Sequence, residues 1–242
     1  FAIRKFSTER LEIGETNITS KSLVLLALDS ELNFAELDFR FNALSNFSQF
    51  TDSVHINAEI DSSILQLKNL AYFYKPFDSI DESFELDVNL DGTITHLHIN
   101  DALISKQSIE PLVFSGDAYI LGLPDVNNSF FNIETDGLVL TKKSLEELQL
   151  LKLGGIKNVG LPDNLNRLGR IEANGIFKGY LQGFMSEFDV KTNLGNLRTD
   201  LNFYYDSYEN QVVYDGEIST NSFNVGRLYG VKELGKVAGK AN

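Results

Sequence analysis

The chain has 242 residues, 43% hydrophobic and 23% charged, a balance that supports a folded core and argues against disorder. Its 34 acidic residues against 21 Lys and Arg leave a formal charge of −13, which repels phosphate backbones and excludes a nucleic-acid partner, and no polybasic run is present to hold an anionic membrane surface. The absence of cysteine removes disulfides, thiolate zinc sites and cysteine nucleophiles together, and the apolar stretch Leu23 to Leu28 falls far short of the roughly 20 residues of a membrane-spanning helix.

With Phe1 first and strand patterning within a few residues of it, the chain reads as an internal or processed piece of a longer protein. From that end, apolar residues recur at every second position rather than with the helical period. Strands are expected over Arg10–Ile18 and Lys21–Asp29, through the sets Phe34, Leu37, Phe39, Phe41 and Val54, Ile56, Ala58, Ile60, and over Ile64–Tyr74. Phe84, Leu86, Val88 and Leu90 alternate with Glu85, Asp87 and Asn89, Asp91-Gly92 predicts a hairpin turn, and Thr93–Asn100 returns with Leu97 and Ile99 on one side and His96 and His98 on the other. Leu112–Leu121 and Phe130–Leu140 follow.

Thr141-Lys142-Lys143-Ser144 ahead of Leu145, Leu148, Leu151 and Leu153 predicts one short helix near 144–153, with Ser144 as N-cap and Glu146-Glu147 in its first turn. Gly154-Gly155, Gly160 and Leu161-Pro162-Asp163 then make the strongest break in the chain, dividing it into residues 1–140, a connector at 141–168, and residues 169–242. Past the break, strands are expected over Gly169–Leu181, through Phe188, Val190, Thr192 and Leu194, and over Leu197–Tyr205, Gln211–Thr220 and Asn221–Leu228. Gly175 and Gly179, four apart around Phe177, relieve crowding where a strand curves sharply. About fourteen strands and at most one helix define an all-β chain that grows by addition of strands.

Catalytic sets are missing from this pattern. His96 and His98 share a strand face near Asp91 and Asp101, but two imidazoles without a third ligand read as solvent-facing histidines. Asp78/Asp81, Asp81/Glu82 and Asp87/Asp91 are spaced as acid–base pairs could be, and read as a solvated acidic surface. No Gly-x-Ser-x-Gly elbow occurs, and neither Gly154-Gly155 nor Gly226 to Gly230 carries the Lys-Ser/Thr ending of a phosphate loop. The expectation is a protein that is not an enzyme, with no cofactor and no metal.

Leu161-Pro162-Asp163-Asn164-Leu165-Asn166-Arg167-Leu168-Gly169-Arg170-Ile171, then Gly175-Ile176-Phe177-Lys178-Gly179, Phe184 through Phe188, Lys191 through Leu197, Tyr214-Asp215-Gly216-Glu217-Ile218, Phe223 through Leu228 and Leu234-Gly235-Lys236-Val237 together resemble the TamB/AsmA-like family in its Bacteroidota-type form, over residues 161–240. The resemblance implies an elongated, curved β-sheet folded like a taco into an open apolar groove. It also implies a place in the periplasm within a protein anchored in the inner membrane by a segment outside this chain. Its partners would be phospholipid or other lipid acyl chains and an outer-membrane barrel of the TamA/BamA type, and its role lipid conduction and outer-membrane biogenesis. The groove lining expected on this reading comprises Phe84, Leu86, Val88, Leu90, Phe177, Phe188, Val190, Leu194, Leu201 and Phe203. The alternative is a β-rich binding or adhesion module of the cell envelope that recognises glycan or protein, suggested by Tyr204-Tyr205-Asp206-Ser207-Tyr208.

Overall fold

A computed structural model describes residues 3–72, 74–106, 110–148, 161–206, 208–209 and 211–242. The chain is all-β. Its strands are β1 (Ile3–Ser7), β2 (Arg10–Ile13), β3 (Asn17–Ala27), β4 (Ser30–Arg40), β5 (His55–Gln66), β6 (Ser83–Thr93), β7 (His96–Lys106), β8 (Leu112–Leu121), β9 (Phe130–Leu140), β10 (Ile171–Tyr180), β11 (Gly183–Thr192), β12 (Gly195–Asp206), β13 (Gln211–Phe223) and β14 (Val237–Ala241). All fourteen belong to one open sheet whose order follows the chain, with β1 and β2 sharing the same edge of β3. Every ladder with a described register is antiparallel.

Among the described residues the α-helices are α1 (Phe50–Ser53), α2 (Lys142–Leu148) and α3 (Val225–Tyr229), beside short 3-10 turns. Helix α2 is the expected one, but its cap is Thr141 and not Ser144. Thr141 Oγ1 accepts the Ser144 N–H at 3.1 Å, Ser144 Oγ accepts the Thr141 N–H at 2.8 Å, and the Thr141 carbonyl accepts the Leu145 N–H. Ser144 thus plays the returning partner of a reciprocal box and the helix begins earlier than expected. Leu151, Leu153, Gly154-Gly155 and Gly160 lie outside the described residues.

Two compact units divide the chain: Phe1–Gln107 with Ser115–Ser129, and Ser108–Phe114 with Phe130–Asn242. The expected connector at 141–168 falls within the second.

In the first unit one sheet face is apolar and buried. Leu23, Leu37, Ile56, Ala58, Ile60, Phe84, Leu86, Val88, Leu97 and Ala102 are each at most 9% exposed. Strand β6 keeps strict alternation from Phe84 to Gly92, whereas its neighbours slip by one residue. The buried positions pass from Ile60 to Ser63 on β5 and from Leu97 to Ala102 on β7, at register breaks against β6. Ser62 (φ 45°) and Asp101 (φ 50°) occupy those breaks in the left-handed region. Each slip returns apolar side chains to the same face after an inserted residue, the work of a β-bulge. The freed amides are not left unpaired: Ser62 N–H donates to Asp87 Oδ1 and Asp101 N–H donates to Asp117 Oδ1 at 2.8 Å.

The connecting segments close over one end of this face. Phe47 and Phe50, on the stretch between β4 and β5, pack edge-on against Phe41 and Phe39 at centroid distances of 5.0 and 5.6 Å, while Val54 and Ile80 are almost wholly buried. The expected turn at Asp91-Gly92 is displaced to residues 94–95, and Gly92 lies inside β6. A β-carbon on Gly92 would stand 2.1 Å from the His96 carbonyl oxygen, so glycine serves a close strand approach there. The expected strand at Ile64–Tyr74 ends at Gln66 and gives way to a 3-10 turn over Leu67–Tyr72; that at Asn221–Leu228 ends at Phe223 before α3.

In the second unit the motif segment 161–169 is tied to the end of the sheet. Arg167 Nη1 donates to the carbonyls of Arg227 and Leu228, both at 3.1 Å, placing a cation at the C-terminal end of α3, and the Leu168 carbonyl accepts the Asn193 N–H at 3.0 Å. Lys142, buried, bridges Glu146 at 2.7 Å and Asp163 at 3.6 Å, joining α2 to the same segment.

Candidate functional site

Strands β10, β11 and β12 alternate without a slip between them, so their registers determine one face directly. Val190 stands opposite Ala173 and Leu197, Phe188 opposite Gly175 and Thr199, Ser186 opposite Phe177 and Leu201, and Phe184 opposite Gly179 and Phe203. The other face carries Glu172, Asn174, Lys178, Glu187, Asp189, Lys191, Arg198 and Asp200. This is the period-two division of an apolar and a charged side.

Glycine and phenylalanine are matched across the β10–β11 ladder. A β-carbon at Gly175 (φ 153°) would lie 1.9 Å from the Glu187 carbonyl oxygen and 2.8 Å from Phe188 Cδ1. At Gly179 (φ 142°) it would lie 3.0 Å from Phe184 Cβ. The bare glycines give the backbones a close approach, and the facing rings occupy the space that side chains would take. The rings then continue as a row: Phe177 to Phe184 at 4.5 Å, and Phe184 to Phe203 stacked at 4.7 Å with planes 16° apart.

The ten lining residues expected from the sequence fall into two groups, one in each unit. Phe84, Leu86 and Val88 lie side by side on β6 and are buried at 5–8% exposure, with Leu90 half-buried beside them. Phe177, Phe188, Val190, Leu201 and Phe203 share the face of β10–β12, and all of them are only half-buried. Leu194 sits apart at the β11–β12 turn, buried, with its carbonyl accepting the Asn224 N–H. Phe184 was not among the expected residues, although it joins Phe177 to Phe203; its alternation with Phe188 and its position opposite Gly179 are the signals that point to it. A concavity of about 440 Å3 opens against β9–β12, where Glu172, Asn174, Asp189 and Lys191 of the charged face line it together with Leu138, Ala173, Val190 and Leu197.

The acidic residues noted as candidate pairs are each engaged by a separate partner. Asp78 meets Lys75 at 2.9 Å, Asp81 accepts from Gln66 at 2.7 Å, Glu82 meets Lys106 at 2.8 Å, and Asp87 accepts the Ser62 amide. Asp91 accepts from His55 Nε2 at 3.0 Å and Asn57 at 3.3 Å, and the His55 hydrogen bond holds its carboxyl below the usual range against the opposing effect of burial. His98 stacks on Tyr119 at 4.4 Å. Among the described residues no three His, Asp or Glu side chains are grouped to hold a metal ion, and no helix is long and apolar enough to cross a membrane.

Compared with known proteins, the chain matches no family model, no curated protein and no solved structure.

Proposed function

We propose that this chain is a segment of a TamB/AsmA-like protein of the cell envelope that shelters lipid acyl chains against the apolar face of its second unit. The observation that carries the reading is the half-exposed set Phe177, Phe188, Val190, Leu201 and Phe203, joined by Phe184 on one face. Its companions there are Ala, Gly, Ser and Thr, so the face offers no charge to a guest. An acyl chain laid on such a face gains roughly 25 cal/mol per Å2 removed from water, without directional contacts that would fix one position. Binding of that kind is strong in sum and weakly selective, which suits passage along a face. The periplasm is the corresponding location, and an outer-membrane barrel of the TamA/BamA type the corresponding partner.

Binding of a fluorescent fatty acid to the purified chain tests this. Phe188→Asp and Leu201→Asp are expected to abolish binding while far-UV circular dichroism stays unchanged, and Glu187→Gln on the opposite face is expected to leave it intact. Equal binding by all three variants rejects the proposal. A glycan- or protein-binding module is the second reading, favoured by the exposed rings of Tyr204, Tyr208 and Tyr214; it predicts losses on substituting those tyrosines instead.

A further inference from the structure

The charged side of the second unit inverts the sign of the whole molecule at one place. A concavity of about 950 Å3 beside β12, β13 and β14 is walled by Arg198, Arg227, Lys236 and Lys240, against the single carboxylate of Asp189. In a chain with 34 acidic and 21 basic side chains, that local excess is the reverse of the average surface. Lys240 is engaged by Glu217 at 2.7 Å. Among the described residues, Arg198, Arg227 and Lys236 have no ion-pair partner, so three cations face the hollow with Asp189, opposite Arg198 in the ladder, as the one carboxylate in its lining.

The strand register adds neutral hydroxyl donors at the same spot. The register of β12 against β13 slips between Asn196 and Arg198, so that Asn196 stands opposite Ser222 and Arg198 opposite Ser219. Two serines three residues apart are thereby brought to the same side of the sheet as Arg198, where unbroken alternation would have put one of them on the apolar face. Both line the hollow. Guanidinium forks, an ammonium and hydroxyl donors around an open hollow match a group that carries several acceptor oxygens and negative charge.

The geometry points to a phosphate site in this hollow, for a phosphate group that is either free in solution or borne by a phospholipid headgroup. The site lies on the face opposite the aromatic row and does not rest on the acyl-chain reading.

The test uses the full chain in two arms. Inorganic phosphate is titrated calorimetrically, and flotation is measured with phosphatidylcholine vesicles with and without phosphatidylglycerol. Arg198→Gln and Arg227→Gln each remove a charge-assisted contact and are expected to weaken binding about tenfold, whereas Lys178→Gln on the same charged side of β10 changes it less than about twofold. Lys236→Gln, outside any strand, is the variant least able to disturb folding and is expected to follow the two arginines. Saturable binding of inorganic phosphate with this pattern supports a site for free phosphate; the same pattern in the vesicle arm alone supports a headgroup site. Absence of binding in both arms, or equal loss in Lys178→Gln and the three hollow variants, overturns the proposal.

Discussion

Truncating Phe84 and Phe203 to alanine separates a covered apolar face from one left open to a guest. Phe84 is 5% exposed, and Phe→Ala at such a site costs about 3–5 kcal/mol. Phe203 is half-buried and stacks on Phe184 at 4.7 Å; losing about half of a ring's ~200 Å2 of burial together with part of the stacking costs about 2–3 kcal/mol. The informative term is ligand linkage. A soluble short-chain phosphatidylcholine at about 100 times its Kd stabilises the native chain by about 2.7 kcal/mol. That increment should shrink in Phe203→Ala and persist in Phe84→Ala. Urea unfolding followed by far-UV circular dichroism, fitted with a separate transition for each unit where the trace demands it, measures both quantities. An increment equally retained in both variants, or a smaller cost for Phe84→Ala than for Phe203→Ala, refutes the reasoning.

Three further outcomes are expected. Gly175→Ala, whose new carbon meets the Glu187 carbonyl at 1.9 Å, should cost at least about 2–4 kcal/mol, whereas Gly235→Ala, with open space at φ 56°, should cost only about 1–2 kcal/mol; comparable urea midpoints for the two would contradict the close-approach account. Thr141→Ala removes the α2 cap and a 2.9 Å bond from its hydroxyl to Glu110, and should destabilise by about 1–2 kcal/mol with faster amide exchange at Ser144; Thr141→Ser should recover most of the loss. Asp91→Asn should cost no more than about 0.2–1 kcal/mol at neutral pH, since the side chain is nearly half exposed. Because the carboxyl of Asp91 is held below its unfolded value, its contribution is full above about pH 4 and fades as pH falls through the lowered folded value, so the two proteins should converge in acid; a gap that widens there would reverse the assigned sign.

Alternation made the faces of β6 and β10–β12 legible because β6 alternates strictly from Phe84 to Gly92 and β10–β12 carry no slip against one another. Strands β5 and β7 hid their phase changes, since the inserted residues Ser62 and Asp101 are not glycines and do not announce a left-handed backbone. The uneven spacing of Phe34, Leu37 and Phe39 held the trace of such a slip on β4, where the register against β5 breaks at both Phe34 and Glu36. Strands β1 and β14 went unseen because each is five residues long and β14 is exposed throughout. At Asp91-Gly92 a strong turn signal was overridden by a glycine needed within a strand. The division between a covered and an open face was not legible at all: Phe47 and Phe50 could be recognised as apolar, but their packing on Phe39 and Phe41 depends on the path of the 44–53 segment. Asp87 and Asp117 likewise read as surface charge, and their bonds to bulge amides follow only from the registers.

The cysteine-free sequence allows the most direct test of lipid contact. Phe188→Cys and Leu201→Cys place a single bimane label on the proposed lipid face, and Glu187→Cys and Asp200→Cys place it on the charged one. Phospholipid with brominated acyl chains should quench the first pair strongly and leave the second pair bright. Equal quenching on both sides, or none at Phe188→Cys and Leu201→Cys, would contradict the claim that acyl chains lie against this face.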